Sequence, residues 1–297
     1  MRALMKKLLV SLVILTFTQP SFASSIRHLK IAMSAAFVSE RGVGVYEEIS
    51  DYLGKKLNIK SELISGLSYE TINEMIADGA VHIGFVCGLP YVLLKQKKVG
   101  IELIGAPVMN NPRYGNKPIY YSDLIVHKDS TIKSISELKG KKFVYNESIS
   151  NSGYNLPRYF FLSKNYLGKH FFGATFRSGS HEESIKMVAL KKHDYSFVDS
   201  LVLEYDMHYG FGYAKDVKVI KSIGPSASPP IIASSKMPGV QREDIKRIFL
   251  NMHLDPIGRK ILEKALVKKI VSVRDKHYDD IRNKYLTAAK SESLEIK

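Results

Sequence analysis

Cysteine is almost missing from this chain of 297 residues, which contains Cys87 alone. A single cysteine excludes an intramolecular disulfide, so a sizeable hydrophobic core has to stabilise the fold, and a chain of this length can supply one. Cys87 ends a short apolar run, residues 83–87. We therefore predict a small buried side chain at this position and not a reactive thiol.

Long apolar segments are missing as well. The apolar run at residues 8–17 is too short to span a bilayer, and no later segment is long and apolar enough to do so. A basic start precedes the run, and a small-x-small site, Ser21-Phe22-Ala23, follows it. This order is typical of a cleaved export signal. We expect residues 1–23 to be a signal peptide and the mature protein to be soluble.

Acidic residues are outnumbered, with 29 Asp and Glu against 44 Lys and Arg and a formal net charge of +15. The lysines are distributed along the predicted helices and do not form one block. This pattern indicates a basic surface that attracts small anions or an anionic membrane, and it gives no reason to expect a nucleic-acid partner.

Signatures of catalysis are missing too. The nine histidines are scattered, and none shows the His-x-x-x-His or His-x-His spacing of metal ligands. No Gly-x-Ser-x-Gly nucleophile elbow occurs. A hydrolase of phosphate or sulfate esters would need a metal cluster or an activated nucleophile, so we expect no enzyme, no metal and no cofactor.

The chain contains a regular alternation of two apolar patterns, one typical of strands and one typical of helices. In the first part, these patterns predict strands at residues 29–34, 59–64, 81–87 and 101–108, separated by helices at 45–57, 68–77 and 91–97. Strand and helix in strict alternation are typical of a wound parallel sheet with helices on its faces.

A second α/β unit follows an extended crossing segment at residues 119–127. Its predicted strands are residues 141–146, 171–177, 195–198 and 217–220, with helices at 135–138, 158–167, 181–192 and 201–209. The proline-rich residues 224–230 then predict a return, a strand at 231–234 and helical stretches at 242–265 and 278–289. We therefore expect two lobes, residues 24–121 with 226–297 and residues 122–225, and a ligand cleft between them.

The turn Ser150-Asn151-Ser152-Gly153-Tyr154 stands between a predicted strand and a predicted helix. Backbone N–H groups and the positive end of the dipole meet at such a helix start, where they can hold an anion. Gly153 lets the backbone approach a ligand closely. The alternative is an ordinary hydroxyl-capped helix, which the turn taken alone does not exclude.

Four segments form an ordered set: residues 120–126, the turn at 150–154 with Pro157, residues 178–181 and residues 195–200. Together they resemble the phosphate-, phosphite- and phosphonate-binding proteins of ABC importers, over nearly the whole mature chain. The resemblance implies a two-lobed α/β protein with the type II periplasmic-binding fold, which closes over a small oxyanion in the periplasm. It also implies a membrane permease as partner. It assigns the oxyanion head to the turn and His181, and the rest of the pocket to Tyr91 and acidic residues near the hinge.

Each of the other candidate residues has either a ligand-binding role or a structural role. His181 is either a donor to the ligand, protonated beside a dianion, or a capping or surface histidine. Asp199 follows a strand, so it either accepts a proton from the ligand, binds a ligand amine or caps the next helix. Tyr46 and Tyr91 stand at helix starts and either point into the cleft or pack in the core. Tyr121 and Ser122 belong either to the pocket or to the hinge.

Two features leave the ligand open. Asn151 stands where relatives that prefer phosphonates often have a hydroxyl residue, and residues 37–44 lack the usual proline-rich entry but contain Arg41, a further possible anion contact. We expect a monomer that captures a phosphonate, phosphite or phosphate-like anion for a permease. The alternative is a protein of the same fold that senses a sulfonate or sulfur oxyanion and signals to a separate membrane kinase.

Overall fold

The computed structural model describes residues 25–34, 42–164, 166 and 171–290. The expected signal peptide and Arg41 lie outside these residues. No helix in the described ranges is both long and apolar enough to cross a bilayer.

The first sheet has six strands. They are β1 (His28–Met33), β2 (Lys60–Ile64), β3 (Ile83–Phe85), β4 (Ile101–Met109), β10 (Ile231–Ser234) and β11 (Val267–Val271), in the order β11-β4-β10-β3-β1-β2. β1 pairs in parallel with β2 and β3, whereas β10 is antiparallel to both β3 and β4. The return strand expected at 231–234 therefore inserts between two strands of the first half.

Successive residues of β1 face two different apolar clusters. Ile31 packs with residues of α1 (Val43–Leu57), α7 (Gly239–Asn251) and α8 (Pro256–Lys264). Ala32 packs with residues of α2 (Tyr69–Asp78), α3 (Gly88–Gln96) and α9 (Asp279–Ala289). A strand segment that is buried on both faces is continuously apolar, and this is why β1 alternates over His28–Lys30 but ends in the apolar run Ile31–Met33. We call this sheet with its helices the first lobe.

The second sheet has five strands. They are β5 (Ile119–His127), β6 (Lys142–Tyr145), β7 (Ala174–Arg177), β8 (Tyr195–Asp199) and β9 (Val217–Ala227), in the order β7-β6-β8-β5-β9. Its helices are α4 (Leu156–Ser163), α5 (His181–Ala189) and α6 (Ser200–Tyr209). One face carries an aromatic cluster around Phe143, Phe161 and Phe197, and the other face is aliphatic. We call this sheet with its helices the second lobe.

Several elements differ from the sequence prediction. β9 does not stop at residue 220 but continues to Ala227, because it pairs with β5 along its full length. Its Pro225 is tolerated because β9 is the last strand of the sheet, where one edge forms no ladder. The predicted helix at 242–265 is broken: Asp255 accepts the N–H groups of Ile257 and Gly258, so Pro256 begins a new helix. β11 was not predicted.

β5 and β9 carry the chain between the lobes, and α9 lies across both. α9 contacts α3 of the first lobe and α4 of the second. At this contact, Asn155 donates through Nδ2 to the carbonyl oxygen of Ile281 at 3.5 Å, and Lys284 lies 5.7 Å from the ring of Tyr159. The sequence predicted that the last helix packs on the first sheet. In the structure it packs on both lobes.

Candidate ligand-binding site

The turn at Ser150–Tyr154 is wider than an α-helical turn. The N–H of Asn155 donates to the carbonyl oxygen of Ser150, five residues back, at 2.9 Å. Ser150 caps the turn, because its Oγ accepts the N–H of Gly153 at 3.1 Å. All members of the turn except the half-buried Tyr154 are buried. The turn is thus an interior element at the end of β6, not a surface helix start.

Only glycine fits at position 153, because Asn146 occupies the space that a side chain would need. A Cβ atom added to Gly153 would lie 1.9 Å from Oδ1 of Asn146, far inside contact distance. Asn146 is itself fully buried and donates through Nδ2 to the hydroxyl oxygen of Tyr69 at 3.2 Å. The close approach of turn and amide therefore depends on a residue without a side chain.

Ser152 and His181 are in contact in the interior of the second lobe, and His181 also lines the cleft described below. Ser152 Oγ lies 3.4 Å from Nε2 of His181, and His181 Nδ1 accepts the backbone N–H of Asp199 at 3.4 Å. Because Nδ1 is an acceptor, the neutral ring carries its proton on Nε2 and is a donor there. Burial lowers the pKa of His181 to about 3. This environment favours the neutral imidazole, in contrast to the protonated form expected from the sequence.

Asp199 caps α6, because its Oδ1 accepts the N–H of Leu201 at 2.8 Å. Burial raises the pKa of Asp199 well above its usual value, and the charges of Asp123 and Glu182 add to this effect. The capping alternative is therefore realised. The raised pKa also makes Asp199 unusual among caps, since a carboxyl that holds its proton can donate a hydrogen bond.

Ser122 and Tyr121 face different surroundings, although they are neighbours on β5. Ser122 is buried and donates through Oγ to the carbonyl oxygen of Ser152 at 2.6 Å, so it supports the turn from behind. Tyr121 packs 4.8 Å from the guanidinium of Arg113, and its N–H donates to Ser200 Oγ at 3.0 Å. These contacts place Tyr121 in hinge packing.

Asn151 is fully buried, and its side-chain amide binds protein groups. Nδ2 donates to the hydroxyl oxygen of Tyr120 at 2.8 Å and to Ser226 Oγ at 3.2 Å. Oδ1 accepts Nδ2 of Asn155 at 3.0 Å. Tyr154 packs its ring 5.0 Å from that of Tyr145.

Tyr91 and Tyr46 lie in the core, which was the alternative to a cleft role. Tyr91 donates its hydroxyl to Asp275 at 2.6 Å, and its ring lies 4.7 Å from that of Tyr278. Tyr46 is fully buried and packs edge-on against Phe85 at 5.0 Å. Neither lines the cleft described next, because each is directed into the packing between helices and the first sheet. The contacts of both residues are those of the core-packing alternative.

A cleft of about 380 Å³ opens between the lobes beside His181. The first lobe contributes the ends of β1 and β2 and the start of α2, and the second lobe contributes the start of α5. The lining residues are Met33, Ser34, Val43, Ser65, Gly66, Leu67, Tyr69, Gly179, Ser180 and His181. No Asp, Glu, Lys or Arg is among these lining residues in the part of the chain that the structure describes. A ligand would therefore meet hydroxyls, backbone and one imidazole.

Tyr69 is the site residue that the sequence analysis missed. It is the first residue of α2, directly after the cap Ser68, and its hydroxyl oxygen accepts the amide of Asn146 from the other lobe. The signal was present, because the rule that selected Tyr46 and Tyr91, a tyrosine at a helix start after a strand, selects Tyr69 equally. Within the described ranges, no group of three or more His, Cys, Asp or Glu side chains could hold a metal ion.

A family model for the periplasmic substrate-binding protein of ABC phosphonate transporters matches residues 31–278. The chain belongs to this family. It is a family of solute-binding components and not of enzymes, and it is periplasmic. The resemblance seen in the sequence is thereby confirmed.

Proteins with sequence or structural similarity to this chain agree with the family match. A phosphonates-binding periplasmic protein of Escherichia coli (strain K12) is 28% identical over 151 residues, 50% of this chain and 44% of that protein. The match thus spans less than half of that relative. A binding protein component of an ABC phosphonate transporter from Pseudomonas aeruginosa is 19% identical, with a TM-score of 0.79 over 89% of this chain and 87% of that one.

A structure from Prochlorococcus marinus (MIT 9301) in complex with methylphosphonate is also similar. It is 18% identical to this chain, with a TM-score of 0.77 over 89% of this chain and 99% of that one. These two structural similarities confirm the two-lobed α/β periplasmic-binding fold predicted from the sequence.

Proposed function

We propose that this protein captures a small phosphorus oxyanion (a phosphonate, phosphite or phosphate-like anion) in the cleft and delivers it to the membrane permease of an ABC importer. It works in the periplasm as a monomer, after residues 1–23 have been removed. Residues 24–121 and 226–297 form one moving unit and residues 122–225 the other, with the two boundaries inside β5 and β9 and within three residues of the strand ends, and the two units close over the ligand.

The convergence of Ser152 and His181 carries this proposal. The hydroxyl oxygen of Ser152 lies 3.4 Å from Nε2 of His181, and His181 lines the cleft between the lobes while Ser152 is fully buried behind it. An oxyanion held there receives hydrogen bonds from neutral donors. Each bond to a charged group contributes roughly 1.5–3 kcal/mol, so a few of them give useful affinity without an ion pair that would hinder release.

Other residues of the site have definite tasks in this scheme. Ser150 accepts Gly153 N–H and keeps its own proton for the ligand. Tyr69 offers its hydroxyl proton from the first lobe, since its oxygen already accepts from Asn146. Asp199 accepts from a ligand hydroxyl or amine, or donates when it is protonated.

A thermal-shift panel tests the proposal, because a ligand that binds only the folded protein raises its melting temperature. The panel contains phosphate, phosphite, methylphosphonate, aminoethylphosphonate, taurine and thiosulfate. We expect the largest shift from one of the four phosphorus compounds. A shift from taurine or thiosulfate alone would replace the proposal with the sulfur-oxyanion alternative, and no shift from any compound would overturn it.

A further inference from the structure

Asn151 forms hydrogen bonds to two residues that are paired on neighbouring strands. Tyr120 on β5 and Ser226 on β9 are direct partners in the register of the two strands. The amide of Asn151 donates to both hydroxyl oxygens, at 2.8 and 3.2 Å. All three residues are buried. One side chain of the turn therefore joins a cross-strand pair.

This pair lies where the chain passes between the lobes. β5 begins at Ile119, one residue before Tyr120, and β9 ends at Ala227, one residue after Ser226. A rotation of one lobe against the other has to be absorbed near these strand ends, since few other backbone connections cross between the lobes. Asn151 is thus bonded to both sides of the hinge at once.

The remaining polar groups of Asn151 reach the first lobe and α9. Its backbone N–H donates to Cys87 Sγ at 3.4 Å, directly before α3. Its Oδ1 accepts Nδ2 of Asn155, which also reaches the carbonyl oxygen of Ile281 in α9. Both amide protons of Asn151 are used, so the side chain has no donor left for a ligand oxygen.

We propose that Asn151 is a positioning residue, which does not bind the ligand through its side chain but fixes the anion-binding turn to both hinge strands, so that ligand retention depends on the hinge. The part of this inference that concerns ligand retention rests on the proposed function. The part that concerns the hinge does not. It also accounts for the residue type. Serine or threonine has a single O–H and could donate to only one of the two hydroxyls, whereas asparagine donates to both.

A double-mutant cycle with Asn151→Ala and Ser226→Ala tests the proposal, with methylphosphonate as the probe. Ser226 does not line the cleft, and its hydroxyl accepts from Asn151. We expect Ser226→Ala alone to speed methylphosphonate dissociation by about three- to tenfold, because one buried hydrogen bond to the turn is lost. In the Asn151→Ala background the same substitution should have no further effect, because the bond is already gone.

Ser228→Ala is the matched control. Ser228 is equally buried and lies two residues further along the same connection, and its hydroxyl has no hydrogen-bond partner in the described part of the chain. Its removal should leave dissociation unchanged. If Ser226→Ala behaves like Ser228→Ala, or if its effect persists unchanged in the Asn151→Ala background, the coupling to the hinge is refuted.

Hydrogen exchange of the protein without added ligand provides an independent measurement. Backbone amides at residues 119–122, 223–224 and 226–227 should exchange faster in Asn151→Ala and Ser226→Ala than in the parent and in Ser228→Ala, while amides at 124–126 stay unchanged. Equal exchange in all four proteins contradicts the hinge role. If the parent fails to bind methylphosphonate, the proposed ligand is wrong, but the exchange data still decide the role of Asn151.

Discussion

Tyr69 of the first lobe and Asn146 of the second are joined by a hydrogen bond of 3.2 Å, from the amide Nδ2 to the phenol oxygen. Both residues are buried, and Tyr69 also lines the cleft. Burial raises the pKa of Tyr69 well above its usual value, so the phenol keeps its proton at any working pH. The same hydroxyl therefore bridges the lobes and offers a donor to the cleft.

Tyr69→Phe should weaken binding of the best ligand by about five- to a hundredfold, because a donor to the anion and a contact between the lobes are lost together. Calorimetric titration measures this loss. Tyr209→Phe is the control, since it also removes a hydroxyl, here bonded to the carbonyl oxygen of Lys264 outside the cleft. Equal affinities of both variants would remove Tyr69 from the site.

Ser152→Ala and Ser150→Ala should each weaken binding by about ten- to a hundredfold, because each loses a hydrogen bond to a charged ligand. Folding stability should fall by only about 1 kcal/mol for the lost cap at Ser150. Asp255→Ala removes the cap of α8, outside the cleft, and should lower stability without an effect on affinity. If both serine variants bind like the parent, the turn is only a helix cap.

The pKa of His181 predicts how stability depends on pH. Burial lowers the pKa from 6.5 to about 3, so the unfolded chain binds a proton that the folded one does not. The contribution of His181 to stability is complete above pH 6.5 and falls as pH decreases towards 3, by roughly 1.4 kcal/mol for each pH unit. Asp199, whose pKa is raised, contributes with the opposite sign above its ordinary pKa, so the total slope of the parent is not that of His181 alone. Urea unfolding of the parent and of His181→Gln at several pH values should therefore differ by the slope of His181.

His208→Gln, at an exposed position of α6, is the control and should leave the slope as in the parent. The same pKa also predicts a result for binding. The affinity lost in His181→Ala should be constant between pH 5 and 8. A loss that grows as pH falls would mean that the imidazole becomes charged beside the ligand, as the sequence alone suggested.

Asp199→Asn should separate the two roles of Asp199. If the carboxyl contacts the ligand, the order of affinities among phosphate, methylphosphonate and aminoethylphosphonate should change, because the amide cannot accept and donate in the same way. If it only caps α6, the melting temperature should fall while the order stays the same. Competition titrations with the three compounds decide between these outcomes.

Strand β5 shows what the sequence could predict. Its predicted bounds, residues 119–127, are those of the structure, because most of the segment is buried in the sheet between β8 and β9. β11 is the opposite case. Lys268 and Lys269 interrupt its apolar pattern, as is common at a sheet edge, and lysines of this kind are equally typical of a helix end.

The site was predictable only in part, for a physical reason. The turn and His181 stand in local patterns of strand, cap and helix, so the sequence could predict these patterns. Which tyrosine faces the cleft depends on how helices rotate against the sheet and how one lobe meets the other. Tyr46, Tyr69 and Tyr91 all lie within the first four residues of a helix that follows a strand, yet of the three only Tyr69 is among the residues that line the cleft.

The lining of the cleft carries no charged side chain among the residues that the structure describes, and this separates the arrival of a ligand from its retention. The formal net charge is +15 for the whole chain and +12 (15 − 3) without Arg2, Lys6 and Lys7 of the proposed signal peptide. This charge attracts an anion over distances comparable to the Debye length, about 10 Å at 0.1 M salt, and the attraction weakens as salt is added. Once inside, the anion is held by short-range dipoles that salt does not screen. Salt should therefore slow association measured by stopped flow and leave dissociation almost unchanged. Such a protein collects its ligand fastest in dilute surroundings but holds it equally long in all of them.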